Sequence, residues 1–366
     1  PDSRLFPLDP IRKCMNETLI NEGMELLQYG DPLGYEPLRR YIASRMRQHG
    51  ISVSAPEVMI TKGAQNAFEL LIRLLTKPGA AVLVEAPTYS RAIDLFRLSG
   101  LQIMEVPMNK GGMDLDALEG LLSQASPDLI YTIPNFHNPT GTTTSQGHRE
   151  RLFRLCLKHQ VPLVEDGFEE ELKYFGKAVL PIKSMDSQGV VIYVGTFSKI
   201  LFPGLRIGWI AADQECIQRL APLQKASLVA GNLLDQAALH RFCALGHYDR
   251  HIKRMHRVYR RRMLVALKAM QAHLDPKKVE WTKPQGGYTT WLRLKGLPLS
   301  EDEVLDHLFQ CKVALLPGST HYYGPTQGLC FRLSIAILDE AAIEQGIQRL
   351  GQGISQLYQS ARGKKG

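Results

Sequence analysis

The stretch VIYVGTFSKILFPGLRIGW, residues 191–209, holds the pattern around which the rest of the chain is organised. It begins with β-branched and apolar residues, which predict a buried strand. Hydroxyl groups follow at Thr196 and Ser198, and then come Lys199 and Arg206. An amine at a strand end can form a Schiff base with an aldehyde, while hydroxyls and a guanidinium hold a phosphate dianion. The segment therefore predicts a site for a phosphorylated aldehyde; an exposed loop lysine is the alternative.

The composition is that of a globular protein with one or two domains. The chain has 366 residues, of which 44% are hydrophobic and 22% charged, and no apolar run reaches the length of a membrane span. The opening residues, PDSRLFPLDP, lack the layout of a signal peptide, which predicts a cytoplasmic location. The six cysteines are scattered without metal-ligand spacing, so we expect neither a disulfide framework nor a metal site.

Much of the net charge of +8 lies in one segment, HIKRMHRVYRRRMLVALKAM, at residues 251–270. Its apolar residues recur near helical spacing, which favours an amphipathic helix with a solvated basic face over a helix that contacts DNA. The chain begins at Pro1 rather than methionine. We interpret it as a trimmed piece of a longer protein.

Short apolar runs alternate with helical segments between residues 58 and 195. Strands are predicted at residues 58–61, 81–87, 102–106, 128–134, 162–166 and 190–195. Continuous apolar strands separated by helices indicate a mostly parallel sheet with helices on both faces. The predicted fold class is α/β, with a three-layer large domain at residues 51–245.

A different pattern follows residue 245. It predicts a long helix, a hairpin-like pair of runs at 279–294, a helix at 301–310, strands at 313–316 and 329–336, and a helix at 340–357. We interpret residues 246–366 as a smaller α+β domain. Residues 1–50 are expected to form an N-terminal segment that packs with it.

Parallel sheets place ligands at the carboxyl ends of their strands, and polar residues stand at those positions here. Gly63, Ala64 and Gln65 open a helix, where backbone N–H groups can bind an anion or simply form a turn. Tyr89 offers a platform for a planar ring, or is a half-buried core tyrosine. Asn138 lies in a turn-forming Asn-Pro-Thr-Gly sequence, from which its amide can donate to a ligand oxygen.

Two charged residues stand at or inside apolar strands. Asp166 ends the strand predicted at 162–166, where a carboxylate is costly unless it is paired. A protonated heterocyclic nitrogen would pair it, as would solvent or an arginine. Arg332 lies inside CFRLSIA, residues 330–336; its fork suits a substrate carboxylate, and an internal salt bridge is the alternative.

The whole set, in order along the chain, resembles a known family. The chain is similar to fold-type I pyridoxal-phosphate enzymes of the class I/II aminotransferase superfamily over nearly its whole length, and the joint motif set is highly specific. The resemblance implies a PLP-transferase-like fold and pyridoxal 5′-phosphate as the cofactor. It also implies an α-amino acid and a 2-oxo acid as substrates.

The resemblance further implies a role for each residue. Lys199 forms the Schiff base and moves a proton, Asp166 pairs with the pyridinium nitrogen, and Tyr89 stacks on the ring. The remaining cofactor-binding residues would be Gly63, Ala64, Gln65, Asn138, Thr196, Ser198 and Arg206.

The resemblance also implies substrate and subunit contacts. Arg332 is expected to bind the α-carboxylate of the amino acid, and Asn138 and Gly34 complete the substrate-binding set. Tyr29 is expected to reach the phosphate of a neighbouring subunit, which implies a homodimer with shared sites. His137, Tyr288, Tyr322 and Tyr323 are further pocket candidates, although a structural role is favoured for each.

One position departs from the family pattern. Many relatives have a tyrosine two or three residues after the aspartate, and its phenol donates to the 3-oxygen of the cofactor. Phe168 and Glu169 stand there in this chain, and Phe168 cannot donate. We expect the loss to alter the pKa of the Schiff base and to slow transamination, though Asn138 remains. Tyr174, eight residues beyond Asp166, is a less suitable substitute.

Two branches of the family resemble the chain most. EDGFEEELKYFG, residues 165–176, and the stretch at 191–209 are similar to aminotransferases of the 2-aminoadipate, aromatic and branched type. They are also similar to the effector domain of MocR regulators, in which a GntR-type helix-turn-helix precedes an aminotransferase-like domain, and the opening residues resemble that junction. One hypothesis is therefore a catalytic aminotransferase. The other is a ligand-sensing domain with little turnover, with DNA contacted only through a missing N-terminal domain.

Overall fold

The computed structural model describes residues 2–168 and 171–363. Its large sheet has eight strands, which are β1 (Val58–Thr61), β2 (Ala81–Ala86), β3 (Gln102–Asn109), β4 (Gly112–Met113), β5 (Leu129–Thr132), β6 (Leu163–Asp166), β7 (Val191–Thr196) and β8 (Gly208–Ala211). Their order across the sheet is β1-β8-β7-β6-β5-β2-β3-β4. Pairing from β3 through β2, β5 and β6 to β7 is parallel, whereas β8 runs antiparallel to β7 and β1, and β4 antiparallel to β3. The carboxyl ends of the central strands therefore meet at one edge.

Eleven α-helices are described. They are α1 (Leu8–Leu26), α2 (Glu36–Gln48), α3 (Ala64–Leu75), α4 (Ser90–Leu98), α5 (Leu115–Gln124), α6 (Gln146–His159), α7 (Gln214–Leu228), α8 (Leu233–Ala244), α9 (His247–His273), α10 (Glu301–Gln310) and α11 (Glu340–Gly363). Side chains of α3, α4 and α7, such as Phe68 and Phe96, bury one face of the large sheet. Those of α5 and α6, such as Leu118 and Leu152, bury the other. Each fully buried side chain of this size contributes about 1.5–3 kcal/mol. The predicted three-layer α/β fold is confirmed.

Local sequence explains where several helices begin. The Asp114 carboxylate accepts from the amides of Asp116 and Ala117 at the start of α5, and the Ser145 hydroxyl accepts from His148 at the start of α6. These caps satisfy amides that have no partner within the helix.

A second, antiparallel sheet follows in the C-terminal part. Its strands are β9 (Val279–Trp281), β10 (Thr289–Leu294), β11 (Leu316–Pro317) and β12 (Leu329–Ser334), in the order β11-β12-β10-β9. The strand predicted at 313–316 is largely wrong, because only Leu316 of that range pairs, opposite Arg332. The register also places Trp291 of β10 opposite Arg332. Arg332 therefore lies on β12, between β10 and β11 of the small sheet.

The N-terminal helices α1 and α2 both pack against α8. Ahead of them, the Asp2 carboxylate forms a buried ion pair with Arg262 of α9, at 2.8 Å. The division of the chain into an N-terminal segment and two domains stays a prediction. Within residues 2–168 and 171–363, no helix combines the length and the apolar character needed to span a bilayer.

Candidate active site

A cavity of about 150 Å³ lies at the carboxyl edge of the large sheet. Its lining residues are Ala64, Gln65, Tyr89, Asn138, Asp166, Phe168, Thr196, Ser198, Lys199, Pro203 and Arg206. They follow or end strands β1, β2, β5, β6 and β7, which open toward this edge. Nine of the thirteen site residues predicted from the sequence therefore line one cavity. A wider cleft of about 580 Å³, lined by Thr140, Trp281 and Trp291 among others, contains none of the thirteen.

Asp166 forms the buried end of the cavity. Its side chain is 3% exposed, and Oδ2 accepts a hydrogen bond of 2.7 Å from the hydroxyl of Tyr131 on β5. Among the described residues, no hydrogen-bond partner reaches Oδ1. Burial raises the pKa of Asp166 to about 7, although the Tyr131 hydrogen bond and the charge of Lys199 act in the opposite direction. A carboxylate in this position favours a cationic partner in the cavity.

The adjacent carboxylate, that of Glu165, binds backbone amides and has a structural role. Glu165 accepts from the backbone amides of Ile182 and Lys183, each at 2.8 Å. Successive residues of a strand point to opposite faces, so only Asp166 lines the cavity. The backbone after it is tightly packed, because a Cβ on Gly167 would lie 2.0 Å from the hydroxyl of Tyr193.

Hydrogen-bond donors that suit a phosphate collect at the other end. Helix α3 begins at Ala64, so its first backbone amides have no partner within the helix. Among the described residues, no hydrogen bond reaches the buried Ser198 hydroxyl, while Thr196 Oγ1 accepts from the Ser198 amide at 3.1 Å. Arg206 is exposed. A Cβ on Gly63, which has φ +80°, would lie 2.7 Å from Arg206 Nη2, so glycine lets the guanidinium lie against the helix start.

Asn138, in a turn that follows β5 of the large sheet, is hydrogen-bonded to Arg332 of β12 in the small sheet. Arg332 Nη1 donates to Asn138 Oδ1 at 2.8 Å. Since a guanidinium can only donate, the facing amide atom must be the oxygen, and the Asn138 NH₂ group remains as a donor. Arg332 therefore lies next to the cavity, although it does not line it.

Tyr89 immediately precedes α4 and is half-buried in the cavity wall. Burial raises the pKa of its phenol, and the charge of Asp166 adds to this. The ring stays neutral at physiological pH and offers an uncharged face to the cavity.

The structure places two predicted residues away from the cavity. The Tyr29 side chain is 86% exposed. Gly34, with φ +94°, packs where a Cβ would lie 2.7 Å from both Ile60 Cβ and Gln236 Oε1. Tyr29 is expected to act on a neighbouring subunit, so its role stays a prediction. Gly34 is not among the residues that line the cavity.

Sequence reasoning missed Tyr131 and Glu85. Glu85, inside β2, accepts from Thr132 Oγ1 at 2.7 Å and lies 3.2 Å from His137 Nε2. Both side chains are polar groups within apolar runs, and such groups require buried partners. The partners become visible only once neighbouring strands are paired.

The residues around Phe168 clarify the departure from the family pattern. Phe168 is 8% exposed and lines the cavity. Glu169 lies outside the described residues. Tyr174 packs edge-on against His256 and Phe175 and is not part of the cavity wall. The apolar ring of Phe168 therefore stands where a donor is common in relatives.

The family model for aminotransferase class I and II matches residues 2–350. The chain belongs to the class I and II aminotransferase family. Aromatic-amino-acid aminotransferase 1 of Thermococcus litoralis is 34% identical over 97% of this chain and 86% of that protein. The uncharacterised HTH-type transcriptional regulator YdfD of Bacillus subtilis is 30% identical over 97% of this chain and 72% of that protein.

A solved structure gives the same result. The chain superposes on α-aminoadipate aminotransferase from Thermus thermophilus, complexed with N-(5′-phosphopyridoxyl)-L-leucine. The TM-score is 0.90 and the identity 34%, over 98% of this chain and 91% of that one. The fold, the cofactor and the enzyme class expected from the sequence are thereby confirmed: this aminotransferase-family chain is a pyridoxal-phosphate-dependent transferase.

The cavity fits that cofactor. The Asp166 oxygen that has no partner among the described residues suits a ring nitrogen that carries a proton. The Ser198 hydroxyl, which has no partner in the described part of the chain, suits a phosphate together with a helix start and an arginine. Within the described part of the chain, no group of three or more His, Cys, Asp or Glu residues is arranged to hold a metal ion.

Proposed function

We propose that the protein transfers an amino group between an α-amino acid and a 2-oxo acid, with Lys199 as the lysine that bonds to the cofactor. The observation that carries this proposal is the presence of Lys199 and a buried, half-paired Asp166 in one cavity with a set of phosphate donors. When bound, pyridoxal phosphate supplies an aldehyde that takes up the amino group and a ring that withdraws electrons from the α-carbon.

Each residue then has a physical task. With the cofactor bound, Asp166 would hold the proton on the ring nitrogen, because the carboxylate is buried and its Oδ1 has no other described partner. Tyr89, in the cavity wall, would cover the ring of the bound cofactor and exclude water. The Lys199 amine moves the proton at the α-carbon of the substrate. Arg332 binds the substrate carboxylate by its planar fork, while Asn138 donates from its NH₂ group.

Turnover tests this function directly. Purified protein with pyridoxal phosphate is incubated with 2-oxoglutarate and a panel that includes aromatic amino acids and 2-aminoadipate, the substrates named for its relatives. We expect keto acid to form over many turnovers. Lys199→Ala should abolish both turnover and the permanent link to the cofactor that borohydride reduction of the Schiff base leaves in the wild type. Lys225→Ala, which removes an exposed lysine from α7, should change neither.

A second candidate function is ligand sensing within a regulator. It is supported by the match to YdfD, of which this chain covers 72%, and by Phe168 in the cavity wall. In that case the cofactor spectrum would change with an amino acid, but keto acid would stop at one equivalent per site. Multiple turnovers would exclude sensing as the main activity.

We also propose a homodimer in which Tyr29 completes the partner's phosphate site. The exposure of Tyr29 supports this, as do the exposed apolar side chains of Ile20, Met24 and Leu27 on the preceding helix and loop. At a pyridoxal-phosphate concentration too low to support the Tyr29→Ala protein alone, mixing Tyr29→Ala with inactive Lys199→Ala subunits should restore about one quarter of the wild-type activity, because half of the dimers would contain one intact site. No restoration would contradict sharing. The cytoplasmic location stays a prediction.

A further inference from the structure

Two side chains from the C-terminal part hold the backbone at Lys199. The hydroxyl of Tyr288 donates to the Lys199 carbonyl oxygen at 2.6 Å. One residue further, His251 Nε2 lies 2.8 Å from the carbonyl oxygen of Ile200. Both side-chain donors belong to buried residues, Tyr288 at 4% and His251 at 3% exposure. Two consecutive carbonyl groups are therefore held by side chains from beyond residue 245.

Local backbone does not supply these bonds. The turn after β7 is closed by amides of Ile200 and Leu201, which both donate to the Phe197 carbonyl. Of the backbone hydrogen bonds described in loops and turns, none ends on the carbonyl of Lys199 or Ile200. Without Tyr288 and His251, these two carbonyls would need water, and the turn would lose its fixed position.

The Tyr288 hydroxyl is itself rigidly placed. The Ile335 amide donates to the Tyr288 carbonyl at 2.9 Å, next to the β10–β12 pairing. The Tyr288 ring packs edge-on against Tyr259 of α9, with centroids 4.5 Å apart. Tyr259 in turn donates to the Ala336 carbonyl at 3.1 Å. Tyr288 directly precedes β10, and its backbone and ring are held by β12-side and α9 contacts, so the position of its hydroxyl is fixed.

His251 is also a defined donor. Its partner is a carbonyl oxygen, so Nε2 must carry the hydrogen. Burial lowers the pKa of the imidazole, which keeps it neutral at physiological pH. Among the described residues, no partner reaches Nδ1. The single described bond of this ring is the one to Ile200.

We propose that Tyr288 and His251 are positioning residues for the Lys199 amine. This inference rests on the role proposed above for Lys199. A lysine side chain has a flexible four-carbon stem, so the position of its backbone limits where Nζ can reach. Proton transfer at a substrate carbon requires close placement, and small displacements reduce the rate strongly. The same small sheet carries Arg332, so it positions the carboxylate-binding arginine and the lysine together.

Tyr288→Phe tests the proposal, because it removes only the hydroxyl and keeps the ring against Tyr259. We expect kcat to fall about three- to tenfold while KM for the amino acid stays within about twofold. In the cofactor-free protein, Lys199 should react faster with an acylating reagent, measured by peptide mass spectrometry, because the turn is less restrained.

Tyr358→Phe is the matched control. Its hydroxyl lies within hydrogen-bond distance of the Lys278 and Lys295 carbonyl oxygens, away from the cavity, and donates its one hydrogen there, so a loss of stability should resemble that of Tyr288→Phe. We expect wild-type kcat and wild-type Lys199 labelling. If the two variants behave alike in both measurements, Tyr288 has only a structural role and the proposal is wrong.

His251 provides an independent pair of variants. A glutamine side chain at this position would keep an N–H near the place of Nε2, so His251→Gln should retain most of the rate, whereas His251→Leu should lose it. Equal kcat and labelling in the two variants would overturn the assignment of His251. If the wild type shows no turnover, the proposed function fails, and Lys199 labelling still decides whether these residues restrain the lysine.

Discussion

The two ends of the cofactor cavity differ in charge and in exposure to solvent: the ring end is formed by Asp166, and the phosphate end by Ser198, Arg206 and the start of α3. At the ring end, one carboxylate is 3% exposed and its hydrogen-bonding neighbour Tyr131 is fully buried. At the phosphate end, Arg206 is exposed, and the other donors are a helix start and hydroxyls. The ring end therefore depends on a single charge in a low dielectric. At the phosphate end, several individually weaker hydrogen-bond donors together bind the phosphate.

This difference predicts unequal sensitivity to substitution. A buried charge interacts strongly because little water screens it, so its removal should have a large effect. An exposed guanidinium is screened, and its neighbours keep part of the binding. Changes at Asp166 should therefore impair the chemical step, while changes at Arg206 should mainly weaken cofactor affinity.

The largest effect is expected for Asp166→Asn. The amide cannot hold a proton on the ring nitrogen, so electron withdrawal from the α-carbon weakens, and we expect kcat/KM to fall at least about 100-fold. Steady-state kinetics at saturating cofactor measure this. Asp114→Asn is the control, since asparagine also caps a helix well and Asp114 lies at the start of α5. A loss below tenfold, about 1.4 kcal/mol, would break the distinction between the two ends.

A smaller, reversible effect is expected for Arg206→Gln. Removing one charge-assisted donor should raise the Kd for pyridoxal phosphate about 30-fold, near 2 kcal/mol, with kcat nearly restored by excess cofactor. Fluorescence titration of the cofactor-free protein measures the Kd, and Arg254→Gln on the exposed face of α9 is the control. If excess cofactor does not restore kcat, then Arg206 contributes to chemistry and the two ends are more alike than we propose.

The sequence predicted most of the residues that line the cavity, because the end of each strand can be recognised from the residues immediately around it. Residues such as Asn138 and Asp166 each follow an apolar run, and parallel pairing then brings such positions to one edge. The same logic predicts the layers, since helices and strands alternate. It does not predict β8 as an antiparallel strand between β1 and β7, because periodicity carries no information on strand order.

What escaped prediction depends on contacts between distant segments. The Tyr131 hydroxyl finds Asp166 only because β5 and β6 pair with Tyr131 opposite Val164. The bond from Tyr288 to the Lys199 carbonyl spans 89 residues of sequence. A polar group in an apolar run signals that a partner exists, but not which one.

The buried carboxylate also predicts a pH dependence of stability in the cofactor-free protein. The folded-state pKa of Asp166, about 7, lies above the ordinary value of 3.8. Between these values the folded protein holds a proton that the unfolded chain has released. Its stabilising contribution is complete below the ordinary pKa and is lost as the pH rises through about 7. Thermal unfolding should show the Tm of the wild type falling by a few degrees over this range relative to Asp166→Asn. Parallel pH profiles for both proteins would show that Asp166 is already ionised at the buried end.

The smallest effect is expected for Phe168→Tyr, which adds a polar donor to the apolar wall of the ring end. A phenol that donates to the 3-oxygen of the cofactor stabilises negative charge there, so the pH at which the visible absorbance of the bound cofactor changes should shift downward. We expect kcat to rise about two- to threefold, because one more hydrogen bond contributes only about 1 kcal/mol and Asn138 already donates nearby. Phe168→Leu keeps the wall apolar and should leave the absorbance transition where it is. If Phe168→Tyr leaves it there as well, the new hydroxyl does not reach the cofactor, and rates at the ring end depend on Asp166 without help from this position.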